Sequence, residues 1–528
     1  MINSIFLLSV VVGGTFLSSD NFTNAENDIK RYVILLSALV TILLISFYKK
    51  PLYRLKISIE HYVFSNGLVI ISFFLVLQGL LQYFGILESN NVNFKITGSF
   101  ENPAGFVAIQ SLLFAVSLHK SCKHNNMNKG FRIMSVSVVI LTFLSVVLSE
   151  SRCGLLAIIS AIFISLYFET KLKFMIIKHK WILFLLLTIL FGLLLFLYNL
   201  KVDSANGRLL IWRICLNMFI DSPLFGFGHD SFTSNYMLYQ ADFFASHKQS
   251  AYLQLADNIT HPFNEFIKLL VEHGLFGLIV VLLLLYIAIR NILQNNNSKK
   301  ALGISVISTI IILAFFSYPF NYETFVFIAI ILLIWVLPTK EPLASKWYMY
   351  FRKMVATMSI VSIVYLVYDC YYNLKWAAVY KRSLRGYTER MLPHYNDLMS
   401  KLEENPYFLY NYSAELNHIG KYDESATIGK KCLTKINDYD VQLLMADNNY
   451  NLCRYEEALT GYITAHNMCP NRFVPLYKQF KIYKKCHNID KMKEIGREIL
   501  SKKIKVPSSK INFIISDVKR DLDTHACK

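Results

Sequence analysis

Arginine, histidine, asparagine and glutamate gather in three short stretches: SESRCGLLAII (149–159), NGRLLIWRICLNMFIDSPLFGFGHDSF (206–232) and ADNITHPFNEFIKLLVEHGLFGLIVV (256–281). A fourth stretch, GSFENPAGF (98–106), is polar and turn-rich. Each adjoins an apolar run. Arg152, Arg208 and Arg213 carry permanent charge, and guanidinium groups hold oxyanions through paired hydrogen bonds. Brought close together they repel unless an anion sits among them, so a polyanionic ligand at the membrane surface is the natural inference. Plain contact with lipid phosphates is the competing reading. His261, Asn264 and Glu265 fall within about a turn of the start of an apolar helix. Asn264 offers donor and acceptor, and a carboxylate is favoured early in a helix. The same three residues also read as a simple capping cluster. Glu272 and His273 lie some two turns deeper, where ionisable groups face protein or water more readily than lipid.

The elements that must position these residues follow from the apolar patterning. Of 528 residues, 54% are hydrophobic and 17% charged, too apolar for a soluble protein of this length. The apolar residues clump into blocks long enough to span hydrocarbon as helices, which excludes a β-barrel with its short alternating strands. Eleven spans are expected, near 2–18, 32–48, 62–85, 103–118, 131–149, 153–169, 180–199, 265–289, 302–319, 322–338 and 355–370. The first begins almost at Met1 without a charged leader, so it reads as a retained helix.

Loop charge supplies an orientation. Basic residues cluster in alternate loops: Lys49, Lys50, Arg54 and Lys56; Lys120, Lys123, Lys129 and Arg132; Lys171, Lys173, Lys178 and Lys180; Arg290, Lys299 and Lys300; Lys340, Lys346, Arg352 and Lys353. Positive loops stay cytoplasmic. The first two intervening loops are less basic, with Asp20, Glu26 and Asp28 in one and Glu88 and Glu101 in the other. The N-terminus is therefore expected in the cytoplasm, and the long segment 200–264 on the outer face with Arg152. The +18 net charge is thus partly topological and does not call for nucleic acid. Nine cysteines without a CxxC pair argue against a disulfide scaffold or a zinc site.

The long segment has its own local logic. Asn206-Gly207 reads as a turn. LLIWRICLNMFI then reads as an interfacial helix, with Trp212 at the boundary and Arg208 and Arg213 reaching phosphate level. Asp221-Ser222-Pro223 should end it, and Gly226 and Gly228 allow a tight turn before Phe232. That pair lacks the strand–turn–helix setting of a dinucleotide site. His229 reads as a surface histidine or a further polar group of this face.

After residue 371 the chain becomes polar and helical. GKYDESATIGKKCL (420–433) is echoed by CRYEEALTGYITAH (453–466), with Tyr422 and Tyr455 thirty-three residues apart. The period is that of tetratricopeptide-like helix pairs, which stack to bury their faces and commonly hold protein partners. An irregular helical bundle is the other possibility. The expected organisation is all-α: transmembrane helices over 1–199 and 265–370, an outer loop over 200–264, and a TPR-like domain over 371–528 on the same outer side.

Three pieces together, SRCGLLA (151–157), GRLLIWRICLNMFIDSPLFGFGHDSF (207–232) and HPFNEFIKLLVEHGLFGL (261–278), resemble the O-antigen ligase and polymerase superfamily of bacterial inner-membrane glycosyltransferases. GSFENPAGF resembles the start of that family's fourth helix, and the C-terminal repeats resemble members from Bacteroidetes. The resemblance implies transfer of a glycan from a polyprenyl-pyrophosphate donor to an acceptor hydroxyl on the periplasmic side. The acceptor is lipid A-core or protein in a ligase, and another lipid-linked repeat unit in a polymerase. No metal, nucleotide sugar or other cofactor is implied. Arg152 matches the family's Ser-Arg arginine, Arg208 its Gly-Arg arginine, and Asn264 its asparagine; Arg213 joins them as a donor-pyrophosphate ligand. Many members carry histidine directly before that asparagine, where this chain has Phe263. His261, with Asn264 and Glu265, is then the expected catalytic group, and Asp257 or His247 are substitutes. A transporter or a non-catalytic scaffold would also suit many spans. A transporter favours polar residues at mid-membrane, whereas the polar clusters here sit mainly at the outer mouths.

Overall fold

The computed structural model describes residues 2–17, 22, 29–47, 61–122, 128–170, 172–337 and 346–526. The loop charges at 49–56, Lys123, Lys171 and Lys340, and the acids Asp20, Glu26 and Asp28, lie outside the described residues. All the regular structure described is helical. The eleven apolar segments form α1 (Ile2–Phe16), α2 (Ile29–Ser46), α3 (His61–Tyr83), α4 (Pro103–Cys122), α5 (Lys129–Leu148), α6 (Arg152–Glu169), α8 (Lys180–Leu200), α11 (Glu265–Ile292), α12 (Asn297–Phe316), α13 (Glu323–Val336) and α14 (Lys346–Arg382). A short α7 (Leu172–Lys178) precedes α8. Among the described residues, eight helices are long and apolar enough to cross a membrane, while Ser4–Phe16 and Glu323–Val336 are apolar but shorter.

The chain divides into two compact units. The first comprises Met1–Leu197, Phe263–Glu265 and Val280–Ala377. Its centre is α4, buried from Gly105 to Val116. It packs against α3, α5, α6, α12 and α13. Small residues permit close approach, as in membrane helix pairs: a Cβ on Gly154 of α6 would stand 2.2 Å from the Val107 side chain. The Ser308 hydroxyl of α12 donates to Ser160 of α6 at 3.1 Å. The buried amide of Gln110 is satisfied by Ser72, accepting from its hydroxyl at 2.9 Å and donating to its carbonyl at 3.1 Å. By contrast α8 leaves nearly its whole apolar surface bare, including Phe184, Leu187, Ile189, Phe191 and Phe196. A bare apolar helix of this length is stable only against lipid or another apolar surface.

The second unit comprises Tyr198–Pro262, Phe266–Ile279 and Ala378–Lys528. It joins the long loop to the C-terminal helices. The loop holds α9 (Val202–Asp221) and α10 (Ser231–Ser246). The C-terminal part holds α15 (Thr388–Leu402), α16 (Pro406–His418), α17 (Tyr422–Leu433), α18 (Tyr439–Asn451), α19 (Tyr455–Met468), α20 (Val474–Lys485), α21 (Ile489–Ser501) and α22 (Ser509–Ala526). Helices 16–21 pack as consecutive pairs. Their starts are set locally: Asn405 caps α16 and Asp438 caps α18, each accepting two backbone N–H groups. One face of this region is covered by the chain itself. Helix α10 packs on α19, Gln240 donates to the carbonyls of Asp257 and Met468, Asn258 donates to Asp438 and Asp440, and Arg472 pairs with Asp257 at 3.2 Å.

Two local expectations are corrected. Asn206 and Gly207 do not form a turn; they lie inside α9, and the turn between α8 and α9 falls at Lys201. Leu210, Ile211, Ile214, Cys215 and Met218 are buried along that helix, and this packing outweighs the turn preference of Asn-Gly. Helix α11 is not one uninterrupted span: at Gly274 the backbone turns to φ 61°, ψ −160°.

Candidate functional site

The break at Gly274 organises the loop unit. In a continuous helix the N–H groups of Leu275 and Phe276 would donate to the carbonyls of Val271 and Glu272. Here those carbonyls accept instead from Phe227 and Gly228, each at 2.9 Å. The freed Leu275 and Phe276 amides donate to Pro223 and Leu224, at 2.9 and 3.1 Å. Segment 223–228 has inserted into the helix's hydrogen-bond ladder, so these four groups released by the break are satisfied. Two glycines make the approach possible. A Cβ on Gly226 (φ 68°) would lie 2.4 Å from the Glu272 carbonyl carbon, and one on Gly274 would lie 2.4 Å from Leu224 backbone atoms. Gly228 (φ 105°) has open space around it and serves the turn through its dihedral alone. The insertion places His229 beside Glu272 and His273, with the imidazoles stacked 5.9 Å apart.

Helix α9 presents its two arginines in different directions. Arg208 and Trp212 are four residues apart and share a face. The Trp212 indole N–H donates to the Pro262 carbonyl at 2.9 Å, so that face meets the His261–Pro262 segment. The indole thus works as a tie within the loop. Arg213 lies on another face, 5.4 Å above the Phe243 ring. It opens onto a cleft of about 640 Å³, also lined by His247 and Lys248. Two cations there suit an anion, and Arg208 lies on the Trp212 side of the helix. Burial, and then Lys268, hold the His261 imidazole down to about 4, against a smaller opposing pull from Asp230. It is therefore neutral near pH 7.

The remaining sequence-expected residues belong to the transmembrane unit. Ser151 caps α6, accepting from Gly154 N at 3.4 Å. Arg152 follows, and its guanidinium donates to the Leu197 carbonyl in the last turn of α8 at 3.2 Å. A cation there also offsets the negative end of the helix dipole. The GSFENPAGF turn is pinned by Gln82, whose amide oxygen accepts from Thr97 and Gly98. Asn102 accepts from Ala104 N at 2.6 Å and caps α4. Its amide also donates to the Tyr318 hydroxyl. Phe263 has φ 54°, unusual for a bulky residue, and its ring meets Tyr318 edge-on at 5.5 Å. Asn264 is buried, and the Glu265 carboxylate accepts from Phe320 N at 3.2 Å. Asn102 and Phe263 thus converge on Tyr318, which sequence reasoning missed; its only signal was the aromatic-rich YPFNYE (318–323).

The comparisons with known proteins agree with these motifs. Residues 137–282 match the O-antigen ligase family model. The matched range runs from within α5 to within α11, so it takes in Arg152, both α9 arginines, the Gly226 turn and the Gly274 break. No curated protein matches the chain. Residues 137–282 are thus similar to the O-antigen ligase family, in a chain whose described residues hold eight helices long and apolar enough to cross a membrane.

Proposed function

We propose that the protein transfers a glycan from a polyprenyl-pyrophosphate donor to an acceptor hydroxyl at the periplasmic face of the inner membrane, in the manner of an O-antigen ligase. The observation that carries this reading is the family match over 137–282, which holds the arginines and the loop–helix insertion in one stretch. In the reaction the acceptor oxygen bonds to the anomeric carbon as the bond from that carbon to the pyrophosphate oxygen breaks. Polyprenyl pyrophosphate leaves, and the hydroxyl proton passes to a base. Arg208 binds the pyrophosphate whose charge grows as the bond breaks. Arg152 and Arg213 are assigned supporting charge for oxyanions, Arg152 at the end of α8 and Arg213 with Lys248 at the Phe243 cleft. A well-placed donor of this kind is worth roughly 3–4 kcal/mol in the transition state, and no metal is assigned to the step.

His261 is the proposed base, with Asn264 and Glu265 as positioning groups. Phe263 has no proton-accepting group, and its ring packs on Tyr318. An imidazole held down to about 4 is neutral but weakly basic. An arriving pyrophosphate raises it toward the operating pH, where general bases act best. Sidedness follows from the loop charges, with the N-terminus cytoplasmic. The shared compact unit of 198–262 and 378–528 supports placing the loop and the C-terminal helices together outside. Reading those helix pairs as a TPR-like solenoid, one role is intramolecular, holding α10. The exposed remainder is left for an acceptor-bearing partner.

The test is a gel profile of surface glycans and glycoproteins from a strain lacking the gene, restored with wild type or with Arg208→Ala. The deletion should accumulate lipid-linked glycan and lose glycan on its acceptor, and the variant should not rescue at normal expression. One addition per acceptor identifies a ligase, and a ladder of repeats a polymerase. Unchanged glycans with full rescue by Arg208→Ala would remove the proposal.

A further inference from the structure

The loop–helix insertion gathers one group that the transfer reading leaves unused. His229, Glu272 and His273 each offer a ligand atom, and these atoms lie within 4.8 Å of one another. They come from both sides of the insertion: His229 follows the Gly228 turn, and Glu272 and His273 flank the Gly274 break. Glu272 is 96% buried, and its Oε1 has no hydrogen-bond partner. A buried carboxylate oxygen without a donor is costly unless a cation completes it. His229 is exposed, so its imidazole can rotate. Asp230 stands 3.6 Å from the His229 Nε2 and is equally exposed.

We propose that His229, Glu272 and His273 form a binding site for a divalent transition ion of the zinc class. Two imidazoles and one carboxylate suit such an ion, whereas magnesium and calcium prefer all-oxygen sets. Bound zinc needs ligand atoms about 3.3 Å apart, from metal–ligand distances of roughly 2.0–2.1 Å. Side-chain rotation, at the exposed His229 above all, has to close that gap. The ion leaves a fourth position open and ties the 223–228 turn to the break in α11. It acts on the loop's stability, and the transfer step does not pass through it. Lys268, a turn earlier on α11, is the charge that competes for Glu272.

The experiment uses the full-length protein in detergent, stripped with chelator and titrated with zinc chloride by calorimetry, with thermal melting alongside. Wild type should bind one equivalent at micromolar or tighter affinity and melt at higher temperature with zinc. His229→Ala and Glu272→Gln should each weaken binding at least tenfold and abolish the thermal shift. His418→Ala, on an exposed position of α16, should bind as wild type does. Cobalt substitution should give the visible spectrum of a four-coordinate site in wild type and His418→Ala but not in His229→Ala or Glu272→Gln. No stoichiometric binding, or equal binding by wild type and His229→Ala, would overturn the proposal; the latter would place the ion on other histidines. Because the readout is binding and not turnover, failure here leaves the transfer reading standing.

Discussion

Gly274→Ala tests the insertion of segment 223–228 into α11. The glycine's φ 61°, ψ −160° lies where only glycine is at ease, and forcing another residue there costs about 1–3 kcal/mol. The added Cβ would also stand 2.4 Å from Leu224 backbone atoms, which cannot swing away as a side chain tip can. The chain's easiest escape is to straighten. Leu275 and Phe276 would then donate to Val271 and Glu272 as in an ordinary helix, and the 223–228 segment would be expelled. Two ladder bonds replace the four present now. At about 1 kcal/mol net each, losing that pair costs roughly 2 kcal/mol, comparable with the strain the straightening relieves. The assay is hydrogen exchange at the Phe227 and Gly228 amides, with melting in detergent. Both amides should be protected in wild type and exchange rapidly in Gly274→Ala, with a melting point several degrees lower. Gly192→Ala is the control: nothing lies within 4 Å of its added Cβ, and alanine gains roughly 0.5–1 kcal/mol inside a helix. Unchanged protection at Phe227 and Gly228 in Gly274→Ala would refute the insertion.

Other outcomes follow from the same contacts. Trp212→Phe keeps the ring but loses the hydrogen bond to Pro262; it should cost about 1 kcal/mol and raise exchange at 261–264. Arg213→Ala should lower glycan transfer less than Arg208→Ala does, because Arg213 faces the Phe243 cleft and not the His261 side; equal losses in a transfer assay would contradict this. Arg472→Ala should release the loop from the C-terminal helices by removing the pairing with Asp257, and faster proteolysis within 247–260 would report it. Acid should loosen the loop unit: His261 is held down to about 4 and His466 to about 3, each first by burial and then by lysines. Both are neutral when folded but protonate near 6.5 when unfolded. Their contribution is therefore full above pH 6.5 and falls as pH drops toward 4. Melting points should decline over that window, less steeply in His466→Phe.

Much of this architecture was legible because membrane helices declare themselves by length and composition. The helix ends at Asp221 and Pro103, and the paired helices after 400, followed from proline and capping residues. What escaped depended on contacts between distant segments. Gly274 sits in an apolar run where glycine is ordinary, and nothing local says that a loop some fifty residues earlier will enter the helix there. The Asn206-Gly207 pair carried a strong turn signal that packing along α9 overrode. Tyr318 became visible only when Asn102 and Phe263 met on it. The arginines were found by type, but their separation around α9 needed the contacts of Trp212 and Phe243 to give it meaning.

The most direct measurement of the central claim is transfer by the purified protein. Labelled glycan on polyprenyl pyrophosphate would be incubated with acceptor glycolipid or protein, and product followed with wild type, Arg208→Ala and His261→Ala. Labelled acceptor should form together with free polyprenyl pyrophosphate with wild type, fall by about two orders of magnitude or more with Arg208→Ala, and fall strongly with His261→Ala. Equal product from wild type and Arg208→Ala, or no covalent product from an active and folded preparation, would contradict the account.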